Sequence, residues 1–176
     1  MPAVSKLRAN QFIEDSSITP TEDIPLYLPS GCHTLTVIPD DLLAMEKRIR
    51  VAQAEDALVE LRRLLRISSG LWQYKRTQIG PSQRAGTRAR SLISRFTDKV
   101  NHSANRYRAA RHALLALDAG GEWAQRLCEL KAEHVKGPRQ DDNDESEGRR
   151  ELSWIWMIRS QVEVNDLTAE ELGESE

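Results

Sequence analysis

Between residues 82 and 117, small or apolar side chains recur at Ala85, Ala89, Leu92, Phe96, Val100, Ser103, Tyr107, Ala110, Leu114 and Leu117. The steps are threes and fours, about 3.56 residues per turn, between a coiled-coil seam and a straight helix with one continuous buried stripe. The pattern predicts a long amphipathic helix that requires a partner helix. An earlier stretch supplies one. Leu42, Met45, Ile49 and Ala52 begin a stripe that shifts to Ala54, Leu58, Leu61, Leu65 and Trp72, in a run rich in the strong helix formers Ala, Leu, Glu and Arg. Pro39, Asp40 and Asp41 mark its start, with carboxylates at the positive end of the helix dipole. Ser68, Ser69 and Gly70 are poor helix formers, but Leu64, Leu65, Leu71 and Trp72 stay in phase across them, so the helix is expected to continue to about Thr77.

Gly80, Pro81 and Ser82 make the clearest break in the chain, with Pro placed where a new helix can begin without an unpaired amide. A short connection between two long amphipathic helices makes them antiparallel neighbours. After Gly120 and Gly121, Trp123, Leu127 and Leu130 repeat at helical spacing and suggest a short third helix. The expected fold is therefore all-α: a coiled-coil-like hairpin plus short third helix over 38–135, preceded by an irregular arm over 1–37. Three of the seven prolines fall in its stretch SSITPTEDIPLYLPSGCH, and Leu26, Tyr27 and Leu28 are the candidates for a contact with the helical body. Residues 136–148 are polar, acidic and Gly- and Pro-bearing, and are expected to be disordered. Within 149–160, Leu152 to Ile158 form the most apolar run, expected to dock on the hairpin as a short helix or strand, or else to contact a partner. An acidic tail over 161–176, with a candidate helix cap at Asp166 or Thr168, closes the chain.

Charge changes the picture. The formal net charge is −2, yet from Arg62 to Arg111 thirteen Lys or Arg face the single acid Asp98, and from Gln140 to Glu176 three Arg face twelve acids. A block near +12 could bind a polyanion, and a tail near −9 could compete with it from within the chain. Within the block, Arg84, Arg88, Ser91, Arg95, Lys99, His102 and Arg106 each stand near the seam on one side, and Arg90, Arg108 and Arg111 edge the other shoulder. Their plainest role is a solvated flank whose stems cover apolar surface while the charged heads stay in water. The alternative is that Arg84, Arg88, Arg90, Arg95, Lys99, Arg106, Arg108 and Arg111 meet nucleic-acid phosphates without reading sequence.

Composition bounds the rest. With 39% hydrophobic and 30% charged residues, the 176-residue chain fits one elongated domain with few deeply buried positions. Cys32 and Cys128 do not make a disulfide framework, the first residues hold no secretory signal, and no run is long and apolar enough to span a membrane. An intracellular protein is expected, nuclear if it acts on DNA. A phosphate-binding loop would need a Gly-Lys-Ser or Gly-Lys-Thr ending, which GPSQRAGT lacks. His33, His102, His112 and His134 have no paired metal-ligand spacing, and Cys32 beside His33 is isolated. Glu55, Asp56 and Glu60 sit on one helix, better placed to pair with arginines than to act as general acid and base. No enzyme activity, cofactor, metal or small-molecule substrate is expected.

The ordered series DIPLYLPS, AQAEDALVELRRLLR, GTRARSLI, NRYRAARHALLAL, GEW and GRRELSWIWM resembles the C-terminal region of fungal KDZ (Kyakuja, Dileera, Zisupton) transposases. The resemblance runs from Thr21 to Ile158, and GRRELSWIWM with the GTRAR segment is its specific part. In that family larger proteins carry a cysteine-cluster region and an acidic-triad nuclease-like core ahead of this helical tail, and neither lies in this chain. The resemblance implies a piece or remnant of a transposase, a helical accessory region near DNA with no catalytic residue to carry over. Two functions then compete: a module for self-association or for assembly with a transposase-like protein, and a sequence-nonspecific DNA-binding module. A corollary of the second is that the acidic tail lies on the basic helix and masks it.

Overall fold

A computed structural model describes residues 26–32, 37–78, 83–138 and 152–158. The elements are α1 (Pro29–Cys32), α2 (Asp40–Gln78), α3 (Gln83–Leu117) and α4 (Trp123–Arg126), followed by 3₁₀ turns at Ala132–His134 and Trp154–Trp156. Helices α2 and α3, of 39 and 35 residues, pack along each other as an antiparallel hairpin, and the described residues contain no strand. The expected break at Gly80, Pro81 and Ser82 lies outside the described residues, between the two helices. Helix α2 runs unbroken through Ser68, Ser69 and Gly70. Asp40 and Asp41 occupy its first turn and Lys75 and Arg76 its last, each sign matching its end of the dipole.

Small residues let the helices approach. Ala54 and Ala57 on α2 and Ala104 and Ala110 on α3 are buried among Leu58, Leu61, Leu65, Val100, Tyr107 and Leu114. Ser103 Oγ donates to the Ala57 carbonyl at 2.9 Å and fixes the antiparallel register. Each large apolar side chain buried here contributes roughly 1.5 to 3 kcal/mol.

The stripes depart from expectation at three places. Leu92 is 42% exposed and Ile93 is buried instead, one residue round the helix. Met45 and Ile49 are 58% and 51% exposed, and Ala52 is exposed too. The step from Ala52 to Ala54 turns the chain through about 200°, so the two parts of the α2 stripe lie on opposite faces, and the larger one takes the hairpin. Trp72, although in phase, remains 39% exposed.

At the start of α2 the buried position is Glu46, which accepts hydrogen bonds from Ser30 N at 2.8 Å and Ser30 Oγ at 2.7 Å, with Arg50 Nε 3.1 Å away. Helix α1 is thereby tied to the body through Ser30 and the buried Cys32, whereas Leu26 and Leu28 stay exposed. Lys47 pairs with Asp118 just past the end of α3.

The third helix is a single turn. Gly121 precedes it because a Cβ there would sit 2.4 Å from Asp118 Oδ2 and 2.5 Å from the Trp123 ring. Beyond Arg126 the chain leaves helical geometry and runs back along α3. Three α3 side chains take up its carbonyls: Tyr107 Oη donates to Cys128 O at 2.6 Å, Arg108 Nε to Leu130 O at 2.9 Å and Arg111 Nε to Leu127 O at 3.0 Å. Trp123, Leu127 and Leu130 are buried, as their spacing suggested, but Trp123 lies in the single turn of α4 and Leu127 and Leu130 in a non-helical path whose carbonyls are satisfied by side chains.

The Trp-rich segment docks on this base. Ile155 is fully buried, with Trp154 and Trp156 partly buried beside it. Arg62 on α2, itself buried, donates to the carbonyls of Ile155, at 2.6 Å, and Ile158. Trp154 Nε1 donates to His134 Nδ1 at 3.0 Å and Ser153 Oγ to His134 O at 2.8 Å, which joins the segment to the preceding 3₁₀ turn. Trp156 Nε1 donates to Lys136 O at 3.1 Å, and the Arg66 guanidinium stands 5.3 Å from the Trp156 ring centroid. Residues 139–150 and the acidic tail, with their expected disorder and cap, lie outside the described residues.

Candidate nucleic-acid interface

Helical geometry sorts the eight candidate cations. Arg88, Arg95, Lys99 and Arg106 are separated by seven, four and seven residues, which brings them within about 40° of one another over about 27 Å of α3. All four are exposed at the helix surface. Arg90 is exposed on the other shoulder, and the Arg84 side chain lies outside the described residues. Arg108 and Arg111 sit on that other shoulder too, but their Nε groups hold backbone carbonyls, and Arg111 also stands 6.0 Å from the Trp123 ring centroid. Of the eight, four therefore form one continuous surface row and two fasten the structure.

The row is not electrostatically uniform. Glu60 on α2 accepts from Arg63 Nε at 2.7 Å and from Arg63 Nη2 at 2.8 Å. That hydrogen bonding, above all, holds the Glu60 carboxyl below its ordinary range against a smaller opposing effect of burial, and the charges of Arg63, Lys99 and Arg106 add to it. A depressed carboxyl stays ionised as pH falls into the range where free glutamates protonate, so Lys99 and Arg106 face a lasting anion. The other end differs: from Leu61 to Thr97 the sequence has no Asp or Glu and nine Lys or Arg. A phosphate there meets no competing carboxylate from either helix over that span.

Two apolar features lie outside the hairpin seam. Met45, Ile49 and the 40% exposed Val59 follow one face of α2 with Leu42 and Ala52, at steps of three, four, three and seven. Trp72 is exposed near the far end of α2, with Lys75 Nζ 4.6 Å from its ring centroid.

Other chemistry is bounded by the same geometry. Among the described residues no group of three or more His, Cys, Asp or Glu is placed to hold a metal ion. Both cysteines are free thiols, and burial, with the nearby Glu46 charge, pushes the Cys32 thiol up from its ordinary value. Burial likewise raises the Tyr107 hydroxyl well above its usual range, keeping it a neutral donor to Cys128 O. Glu55 pairs with Arg126 at 2.6 Å, a structural tie between α2 and α4. No helix among the described residues is long and apolar enough to cross a membrane.

Sequence reasoning missed the roles of Arg62, Tyr107 Oη and His134. Arg62 could have been noticed, because it falls four residues after Leu58 and three before Leu65, a charge in the phase of the seam. Nothing in the sequence announces that a carbonyl will lie opposite it. Comparisons with family models, with curated proteins and with solved structures yield no match to this chain.

Proposed function

We propose that this chain is a non-catalytic helical accessory and interaction module, akin to the C-terminal part of a KDZ-type transposase and derived from a transposable element. The observation that carries the module reading is the α2 face of Leu42, Met45, Ile49, Ala52 and Val59, which has coiled-coil spacing and leaves Met45, Ile49, Ala52 and Val59 exposed and Leu42 half-buried. A second helix, from another copy or from a transposase-like protein, fits such a stripe. The resemblance adds a separate support. Its segments AQAEDALVELRRLLR, NRYRAARHALLAL and GRRELSWIWM contain the buried Ala54, Leu58, Leu61 and Arg62, the Tyr107, Arg108 and Arg111 fasteners, and Ile155. A shared pattern of that kind would preserve the base of the hairpin.

Sedimentation or light scattering over a concentration series tests self-association. The wild-type chain should shift from monomer to dimer, and the paired change Met45→Glu with Ile49→Glu should abolish the shift while leaving the helical signal intact. A strictly monomeric chain at high concentration, with no capture of a transposase-like partner, rejects the module.

The second reading is sequence-nonspecific DNA binding along Arg88, Arg95, Lys99 and Arg106, supported by their single shared face. Binding would then fall linearly with salt on logarithmic axes, at nearly one counterion per phosphate contact. Replacing Arg88, Arg95 and Arg106 together should lower that slope by about three. An unchanged slope rejects the row. Neutralising Asp141, Asp142, Asp144, Glu145 and Glu147 should tighten binding if the acidic segment masks the helix.

A further inference from the structure

The far end of the hairpin combines three features that neither reading brings together. The first is an exposed aromatic ring in the line of the seam, Trp72. The second is what stands across from it. The Ser103 to Ala57 hydrogen bond sets an antiparallel register that, continued along two straight helices, brings Trp72 level with Arg88 and Ala89. There the described residues that α3 offers toward the seam are the small Gly86 and Ala89, and among the described residues nothing beyond the local helix backbone lies within 4 Å of where a Gly86 side chain would stand. The seam that is closed by Leu61, Leu65 and Val100 is thus open at Trp72. The third feature is charge: Lys75 is already beside the ring, and Arg88 and Arg90 are exposed on the two shoulders of the same turn, within the span that has no acid.

We propose that this open end is a stacking site for single-stranded nucleic acid. One base lies against the Trp72 indole over the small residues Gly86 and Ala89, and the flanking phosphates are met by Lys75, Arg88 and Arg90. An exposed ring beside cations is the combination that holds unpaired bases: stacking is sequence-tolerant because every base has a π face, and the cations follow the backbone. A duplex keeps its base faces inside the stack and would leave the indole unused. A lipid surface is disfavoured by geometry. Tyr74, the other exposed aromatic of this end, lies two residues from Trp72 and so about 160° away around α2, and the two cannot insert together. The exposed surface between them carries Gln73, Arg76 and Thr77 on one side and Gln78 on the other, with no exposed apolar side chain among them. The inference shares Arg88 with the proposed duplex-binding row but does not rest on it. The Trp72 ring and the Gly86 and Ala89 ledge belong to neither proposed function, and the α2 stripe, Lys99 and Arg106 take no part.

The test measures affinity of the full chain for a labelled oligothymidylate, for an arbitrary duplex and for vesicles of anionic phospholipid. Trp72→Ala should weaken oligothymidylate binding roughly ten- to hundredfold, the effect of losing one stacked base. Duplex affinity should change less than about threefold, and Trp72→Phe should retain oligothymidylate binding to within about tenfold. Gly86→Leu gives an independent check, because there is open space for the side chain and leucine favours the helix more than glycine. It should fill the ledge, block oligothymidylate and leave the thermal unfolding curve no less stable. Retained oligothymidylate affinity in both Trp72→Ala and Gly86→Leu overturns the site. So does an oligothymidylate affinity no greater than the duplex affinity with the same sensitivity to both variants. Vesicle binding lost in Trp72→Ala without oligothymidylate binding in the wild type overturns it in favour of a lipid surface. Duplex binding that survives without any oligothymidylate preference would leave the α3 row standing and remove only the stacking site.

Discussion

The two ends of the hairpin are built from the same two helices and hold the same abundant cation, yet use it in different ways. At the base, Arg62, Arg108 and Arg111 donate to carbonyls of irregular chain, and the segments they hold cover the seam with Leu127, Leu130 and Ile155. At the tip, Arg88 and Arg90 are exposed, Leu92 faces water and Trp72 is half open. The difference comes from the path of the chain after α3. Among the described residues, the segment beyond Leu117 turns back and covers only the end from which it emerges. An arginine on a helix becomes a fastener where chain with unsatisfied carbonyls lies against it, and otherwise remains a solvated charge available to a ligand.

The comparison can be broken hardest at the base. Ile155 is fully buried where the Trp-rich turn meets both helices. Ile155→Ala should cost about 3 kcal/mol in denaturant unfolding, the usual loss for removing a buried branched side chain and leaving a cavity. A change under about 1 kcal/mol would mean that the segment is not part of the cooperative fold. Arg62→Met keeps much of the apolar stem but removes the donors to Ile155 O and Ile158 O. A loss of about 2 kcal/mol is expected from leaving a buried carbonyl without a charged donor. Tryptophan emission should shift to the red before the helical signal is lost, since Trp154 and Trp156 ride on that segment. Simultaneous loss of both signals would show that the segment and hairpin unfold as one unit.

A smaller effect is expected at Tyr107. Tyr107→Phe removes only the hydroxyl that donates to Cys128 O, and should lower stability by about 1.5 kcal/mol. Burial keeps that hydroxyl protonated beyond the ordinary tyrosine range, so the wild-type bond persists in alkaline buffer. The stability difference between Tyr107→Phe and wild type should therefore stay constant as pH rises toward the titration of free tyrosine. Calorimetry at two pH values below that titration checks this.

Much of the fold is legible in the residues because it rests on periodicity. The continuity of α2 through Ser68 to Gly70 agrees with Leu64, Leu65, Leu71 and Trp72 staying in phase, and weak propensity over three residues does not outweigh packing on either side. Periodicity also misleads where it offers two faces. The move from Ala52 to Ala54 divides α2 into two stripes, and a one-dimensional pattern does not say which of them meets α3. Leu92 and Ile93 are adjacent, so choosing between them requires the rotation of the helix. Beyond Arg126 the limit is of another kind. Trp123, Leu127 and Leu130 have helical spacing and are buried, but Tyr107, Arg108 and Arg111 satisfy the carbonyls that a helix would have used. Side-chain donors to main-chain carbonyls leave no mark at the accepting positions, because every residue has a carbonyl. The candidate site meets the same limit. All eight cations look alike in sequence, and only the path of the returning chain separates fasteners from free surface.

The sharpest form of the comparison uses one pair of residues. Arg90 and Arg108 are eighteen positions apart, which is five full turns, so they project from α3 in the same direction. Both are exposed. They differ in what lies beside them: Arg108 Nε reaches Leu130 O and its Nη1 reaches Asn105 Oδ1 at 3.0 Å, whereas at Arg90 the returning chain is absent among the described residues. Arg108→Ala should cost about 1 kcal/mol through the lost charge-assisted hydrogen bond, and Arg90→Ala should change stability by less than about 0.5 kcal/mol. Arg108→Lys sharpens the result further. Lysine preserves the charge but has no donor at the Nε position, so the cost should stay near that of alanine if the guanidinium acts as a fastener. It should vanish if Arg108 contributes only positive charge to the surface. Equal effects at positions 90 and 108 would show that the two ends of the helix do not differ as their neighbours suggest, and would return Arg108 to the same solvated row as Arg90.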